Sequence, residues 1–292
     1  MPIGISPLVD FAFKLMLASR GHERVTIHFL NAILGDKVKI VSIEIENPYV
    51  GPNFEKDKWV VLDILATDER GRKFNIEMQT SIPPGLRQRL AFYDARLYVE
   101  QMRQGDQYHE LRPAIVICVL DKPLLTGCDN LHTDFRLRDE FGRVFTDDLQ
   151  IHILELTKLT ATRENLQSAT AAERWSFFLL NAENLTLIEI RELFPEPEFA
   201  EAAGVLEMIK DNPDQMSDYI SRLKYKLDEG WRIESTRAEA LKEGELVGQI
   251  VILQELLGLT EPGRKDLSTY DAIQLNDLCS QLRLQLRSRQ SS

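Results

Sequence analysis

The chain has 292 residues, 43% of them hydrophobic, and 46 acidic side chains stand against 35 Lys and Arg for a formal net charge of -11 at pH 7. That size and apolar content suit a globular protein of one large domain with an appendage, or of two domains. No apolar run approaches the ~20 residues that a membrane helix needs, and Cys118, Cys128 and Cys279 are too scattered for a disulfide scaffold. The expectation is a soluble cytoplasmic protein with no charged-then-apolar leader.

The negative balance weighs against a nonspecific hold on nucleic acid, because proteins that grip phosphate backbones present a basic face. It does not exclude phosphodiester chemistry. A site of that kind needs only a local basic rim around groups that are themselves acidic enough to hold a cation.

In chain order, residues 10–34 predict two helices broken near Gly21, the first carrying Phe11, Leu15 and Leu17 and the second Val25, Ile27, Phe29, Leu30 and Ile33, with Gly35 as a C-cap. Strand-like runs follow at residues 38–48, 59–67 and 73–80, and Asp68-Glu69-Arg70-Gly71 supplies the turn of a hairpin between the last two. Pro83-Pro84 opens a helix over about residues 85–104. The flat apolar run at residues 113–120 reads as a strand buried on both faces, and residues 150–156 as another strand. Helices, strands and helix together make an α/β pattern with a mixed sheet.

Past Thr160 the texture is helical throughout: residues 168–181, 185–193, 198–210 and 214–257, punctuated by Pro195, Pro197 and Pro213. After the breaker Glu261-Pro262-Gly263, the leucines at 275, 278, 282 and 286 form a last helical stripe. Between residues 232 and 257, alternating charges give way to Val247, Ile250, Val251 and Leu257, a pattern that zips to a partner chain or packs on the chain's own preceding domain.

The informative oddity is Asp63, which interrupts Trp59-Val60-Val61-Leu62-Asp63-Ile64-Leu65-Ala66, a run otherwise apolar on both faces. Burying an isolated carboxylate costs several kcal/mol unless something pairs with it, and a metal ion is one such partner. In Phe74-Asn75-Ile76-Glu77-Met78-Gln79, the period of two sets Asn75, Glu77 and Gln79 on the face opposite Phe74, Ile76 and Met78. A hairpin can bring Glu77 beside Asp63, and two carboxylates suffice for a hard divalent ion that keeps its remaining waters. The alternative is that Asp63 pairs with a buried base and that Glu77 and Gln79 form the solvated face of an edge strand.

Asp63 followed by Glu77-Met78-Gln79 resembles the Asp...Glu-x-Lys signature of PD-(D/E)XK nucleases, with Gln in the Lys position. More closely, the chain resembles the recombination-promoting nuclease (Rpn) and putative transposase family, in which the Gln form is usual. The supporting residues are Asp10-Phe11-Ala12-Phe13-Lys14, the stretch 89–98, Glu100-Gln101 with Gly105 and Tyr108, Pro113-Ala114-Ile115-Val116-Ile117 and Glu155-Leu156-Thr157-Lys158. As an ordered set over residues 5–160 they are specific, although Glu-x-Gln alone is weak.

The resemblance implies a restriction-endonuclease-like α/β core, a central mixed sheet flanked by helices, over residues 1–160, followed by an all-α region over residues 161–292 for assembly or regulation. It makes Asp63 and Glu77 ligands of Mg²⁺, or of Mn²⁺ in its place, with the Met78 carbonyl as a further ligand. Asp10 becomes a further acid at the site, or, with Pro7, only the start and cap of the first helix. Gln79, a neutral amide, can position water by hydrogen bonds but cannot supply the charge of a Lys; Lys14, Arg87 or Arg89 then supplies it.

In the helix after the site, Arg87, Arg89, Tyr93, Arg96 and Tyr98 mix groups suited to phosphate and base contact, unless the tyrosines pack on the sheet and the arginines are solvated. His22, His28, His109, His132 and His152 show no zinc-ligand spacing, and no glycine loop for phosphate is present. The function implied is a metal-dependent DNA endonuclease linked to recombination, mobile elements or defence, in a chain that also self-associates through its C-terminal helices. Two alternatives stay open: a catalytically silent module on the same fold that binds nucleic acid or protein, and an RNA-directed nuclease.

Overall fold

The computed structural model describes residues 1–35, 39–46, 64–259, 267 and 269–290. Contacts divide the chain into two compact units, Met1–Lys226 and Leu227–Ser292. The first begins with α1 (Asp10–Ala18) and α2 (Glu23–Leu34), then β1 (Ile43–Glu46), β2 (Ile64–Asp68), β3 (Lys73–Gln79), α3 (Leu86–Val99), β4 (Ala114–Leu120), β5 (His132–Arg138) and β6 (Val144–Glu155). Helices α4 (Ala171–Asn181), α5 (Leu187–Leu193), α6 (Pro197–Asp211) and α7 (Pro213–Leu257) follow, and α8 (Ala272–Gln290) ends the chain.

The strands form one sheet in the order β1-β2-β3-β4-β6-β5. β1, β2 and β3 run antiparallel in sequence, β4 lies parallel to both β3 and β6, and β5 closes the far end antiparallel to β6. All seven residues of β4 are buried. A strand flanked by parallel neighbours and covered on both faces has no solvated side, which is why it reads as an unbroken apolar run.

The β2–β3 turn sets the register that positions Glu77. Gly71 takes φ 78°, a left-handed conformation available to glycine without steric penalty, and its N–H donates to the Asp68 carbonyl at 2.9 Å. The buried Asp68 carboxylate accepts from the amides of Arg70 and Arg72 at 3.0 and 2.9 Å and pairs with the Arg72 guanidinium. The resulting ladder sets Ile64 opposite Ile76 and Ala66 opposite Phe74.

Alternation along the strands sends side chains to two separate cores. Phe74, Ile76 and Met78 of β3, with Ile117 and Val119 of β4, join Phe13, Phe29, Trp175 and Phe199 on one face. On the other, Val116, Cys118 and Leu120 meet Leu86, Leu90, Tyr93 and Leu97 of α3. None of the three cysteines is in a disulfide.

Two features depart from the sequence expectation, the end of α3 and the strand β5. The compact unit that holds the sheet runs to Lys226, because α4–α6 deliver Trp175, Phe178, Phe199 and Leu206 into the main core, and the N–H groups of Ile3 and Gly4 donate to the carbonyls of Leu185 and Glu183 at 2.9 and 2.7 Å. α3 stops at Val99, five residues early, where the Gln101 side chain bonds across to the Arg112 carbonyl at 2.9 Å and the Arg112 amide at 3.0 Å. β5 is a strand that the expectation did not include, a short run in which His132, Asp134, Arg136 and Arg138 alternate with Thr133, Phe135 and Leu137. Within the second unit, Ile250, Leu253 and Leu257 of the α7 stripe pack with Leu275, Cys279 and Leu282 of α8.

Where β5 meets β6, His132 and His152 stack with ring centroids 5.1 Å apart and share a hydrogen bond of 2.9 Å between Nε2 and Nδ1. His152 is 2% exposed; burial, and then the neighbouring His132, push it from the ordinary 6.5 down to about 3. The native state therefore holds it neutral while the unfolded chain takes up a proton below pH 6.5, so stability falls as pH drops through that value, by at most about 1.4 kcal/mol per pH unit. Urea titrations at pH 7 and pH 5 should show a smaller acid loss for His152→Gln than for the wild type; equal losses would rule out this histidine as the source.

Candidate active site on the α3-facing side of β3

Glu77 is a carboxylate inside a sheet. β3 lies between β2 and β4, and Glu77 is 2% exposed, so the reading of Glu77 as the solvated face of an edge strand is overturned. A charge so placed needs compensation, and its neighbours on the same face provide part of it. Asn75 Nδ2 donates to Oε1 at 3.0 Å and Gln79 Nε2 to Oε2 at 3.4 Å. From α3, Arg89 brings a guanidinium Nη2 to 3.6 Å from Oε2 while lying 5.8 Å from the Tyr93 ring centroid.

Two polar atoms around this carboxylate keep hydrogen-bonding capacity in reserve. Asn75 Oδ1 and Arg89 Nε are buried with no hydrogen-bond partner among the described residues. Unused capacity of this kind in a buried place is what a ligand, water or ion satisfies. Two oxygen-bearing amides and a carboxylate are hard donors, the class that Mg²⁺ and Mn²⁺ prefer, so the residues present fit such an ion.

Of the residues anticipated for the site, the structure brings together Glu77, Gln79, Arg89 and Tyr93. Asp63 lies outside the described residues. Met78 points its side chain into the main core and has its carbonyl in the β3 backbone between Glu77 and Gln79. Asp10 is the first residue of α1 and Lys14 stands one turn later, both half-buried; Val9 occupies the N-cap position without a side-chain cap, so Asp10 is not the capping residue. Arg87 donates to the Leu124 carbonyl at 2.9 Å, and Arg96 pairs with Glu100 at 2.5 Å.

Sequence reasoning set Asn75 on the face of Glu77 but gave it no role at the site. It passed over Asp121 and Lys226. Asp121 follows β4 and donates its N–H to the Gln79 carbonyl at 3.3 Å. Its Oδ2 is 3.8 Å from Lys226 Nζ, which donates to the Leu8 carbonyl at 3.1 Å. Burial raises Asp121 and lowers Lys226, each held back by the other's charge. An Asp directly after an apolar strand was the available signal for the first; nothing local marks the second.

Among the described residues no trio of His, Cys, Asp or Glu forms a metal-ready group, and no helix is long and apolar enough to cross a membrane. Comparison with curated proteins and with solved structures gives no match. Residues 7–236 match the family described as PD-(D/E)XK nuclease family transposase. The mixed six-strand sheet with helices on both faces fits the restriction-endonuclease-like fold of such proteins. A match over that much of the chain, on a sheet whose Glu77 and Gln79 stand together on one face, makes this protein a member of the PD-(D/E)XK nuclease family transposases, with the nuclease-like function of that family.

Proposed function

We propose that the chain is a cytoplasmic metal-dependent endonuclease that hydrolyses phosphodiester bonds of DNA on the α3-facing side of β3, within a nuclease-like domain over residues 1–160. The observation that carries this reading is the buried Glu77 carboxylate, toward which two side-chain amides and the Arg89 guanidinium converge on one face of the sheet. Asp63, immediately before Ile64 in the sequence, and Glu77 would hold Mg²⁺, with the Met78 carbonyl beside them and Asp10 as a further acid. An ion bound there supplies Lewis-acid stabilisation of the phosphate and a more acidic water.

The chain's own groups divide the remaining work. Gln79, an amide with one donor group and one acceptor, orients water by hydrogen bonds. Arg89 carries the permanent charge that Gln79 lacks, and its unpaired Nε and planar fork suit a phosphate oxygen. Asn75 and Gln79 together keep the Glu77 carboxylate fixed in direction, so that no reorganisation is needed as charge develops. Lys14, Arg87, Tyr93 and Arg96 would line the approach of the nucleic acid. Self-association through the C-terminal helices would use surfaces outside the α7–α8 seam.

The test is incubation of purified protein with plasmid DNA and, in parallel, with RNA, in Mg²⁺, in Mn²⁺ and in EDTA. Cleavage of DNA with either metal, abolished by EDTA and by Asp63→Asn, is expected. Cleavage of RNA alone would redirect the substrate. Binding without cleavage in every metal would establish the silent-scaffold reading, and cleavage retained by Asp63→Asn would remove Asp63 from the site.

A further inference from the structure

β5 stands at the end of the sheet order, so one of its edges presents backbone N–H and C=O groups that no strand takes up among the described residues. One bond tells which residues own those groups. Glu155 N–H donates to the Leu131 carbonyl at 2.8 Å, and the register continues with Thr133 opposite Ile153 and Phe135 opposite Ile151. Hydrogen-bonded and non-hydrogen-bonded pairs alternate in an antiparallel ladder. Thr133 and Phe135 therefore use their amides on β6, while His132, Asp134 and Arg136 turn theirs toward the open edge.

Exposed edges are ordinarily blunted by proline, by charged side chains, by β-bulges or by a covering element. β5 has no proline, its register shifts against β6 come only after Arg136, and its charged residues Asp134, Arg136 and Arg138 are of both signs, so a strand of complementary pattern is not repelled. Its other face carries Phe135 and Leu137, 44% and 47% exposed. Beside them opens an apolar cavity of about 260 Å³ lined by Leu124, Leu125, Phe135, Ile151 and Ile153 among others. Nucleic acid is a poor occupant, because from His132 to Asp148 three arginines face five carboxylates.

The geometry points to a second copy of this chain as the occupant, with β5 pairing antiparallel to β5 of the other copy about a two-fold axis at Phe135. A two-fold interface must be self-complementary, and this register is so on both faces. Asp134 falls opposite Arg136 of the second copy and Arg136 opposite its Asp134, in hydrogen-bonded pairs that use the outward amides. Phe135 meets its own counterpart in a non-hydrogen-bonded pair, where side chains approach most closely. Leu137 of the second copy falls opposite Thr133, whose neighbour across β6 is the cavity-lining Ile153, and so reaches the mouth of that cavity. The two sheets become one continuous sheet, and both open edges disappear.

The full-length protein tests this by sedimentation velocity and by cross-linking. Asp134→Arg and Arg136→Asp, each alone, set like charges opposite each other and should weaken self-association at least about tenfold. Mixing the two variants should restore dimers containing one copy of each, which also shows that both are folded. In a Cys128→Ser background, Phe135→Cys places two thiols at the axis with Cα atoms about 4.5 Å apart, within disulfide range. It should oxidise to a covalent dimer at least about tenfold faster than Phe145→Cys, whose position is more exposed. Absence of mixed dimers, charge variants that self-associate as tightly as the wild type, or equal oxidation of the two cysteine variants would each overturn the pairing.

Discussion

Glu77→Gln is expected to lower metal-dependent DNA cleavage by at least about a thousandfold while leaving the melting behaviour nearly unchanged. The substitution keeps the volume of the side chain and removes only its charge. Oε1 and Oε2 currently accept from Asn75 and Gln79, and a glutamine amide in their place can be satisfied by rotating the Gln79 amide through half a turn, since that group both donates and accepts. Arg89, with a side chain 36% exposed, can turn its charge to water. The stability change should therefore stay within about 1–2 kcal/mol, the range of one altered hydrogen bond to a charged group. The loss would fall on the reaction, because a neutral amide is a far weaker partner for a hard cation than a carboxylate. Plasmid cleavage rates and thermal melts on the same preparations decide it: cleavage surviving the substitution removes Glu77 from the chemistry, and a collapsed melt would make its role structural.

The second large effect is on stability. Trp175→Ala should destabilise the first unit by about 3–5 kcal/mol. Trp175 is fully buried, meets Phe29, Phe178 and Phe199 at centroid distances of 5.4, 5.6 and 4.6 Å, and donates its indole N–H to His28 Nδ1 at 3.1 Å. Truncation leaves a cavity among aromatic rings and strands a half-buried imidazole whose pKa burial has already lowered. Because α4 shares its core with Phe74 and Ile117 of the sheet, the damage should reach β4 as well as the helices. Hydrogen exchange at the β4 amides is the readout; protection there unchanged, while α4 alone loosens, would mean that the helices fold as a separate module.

Asp94 illustrates how far a single residue can hide in a sequence. It lies within Arg89 to Tyr98, a stretch that reads as basic and aromatic, yet it is 4% exposed, has Oδ1 without a hydrogen-bond partner among the described residues, and is pushed by burial up to about 8. Burial favours its protonated form, and the backbone of Gln150 on β6 pulls the other way by hydrogen-bonding to it. Helical periodicity assigned it to the helix correctly but carried no information about what lay opposite.

The same division runs through the whole molecule. The sequence by itself determined what depends on neighbours along the chain. The two-residue period of β3 set Asn75, Glu77 and Gln79 on one face. Asp68 to Gly71 made the hairpin turn, the unbroken apolar run made β4 an interior strand, and 3.6-residue spacing made the region past Thr160 helical. Only the tertiary structure decided the pairings between distant segments. Arg89 came within 3.6 Å of Glu77; α4–α6 closed the main core; and the stripe on α7 was met by α8 of the same chain. The physical reason is that periodicity is written into local backbone geometry, whereas the choice of a partner across space depends on which surfaces the completed sheet leaves uncovered. β5 shows this most clearly, since a short alternating run becomes an edge strand only where β6 offers it a ladder.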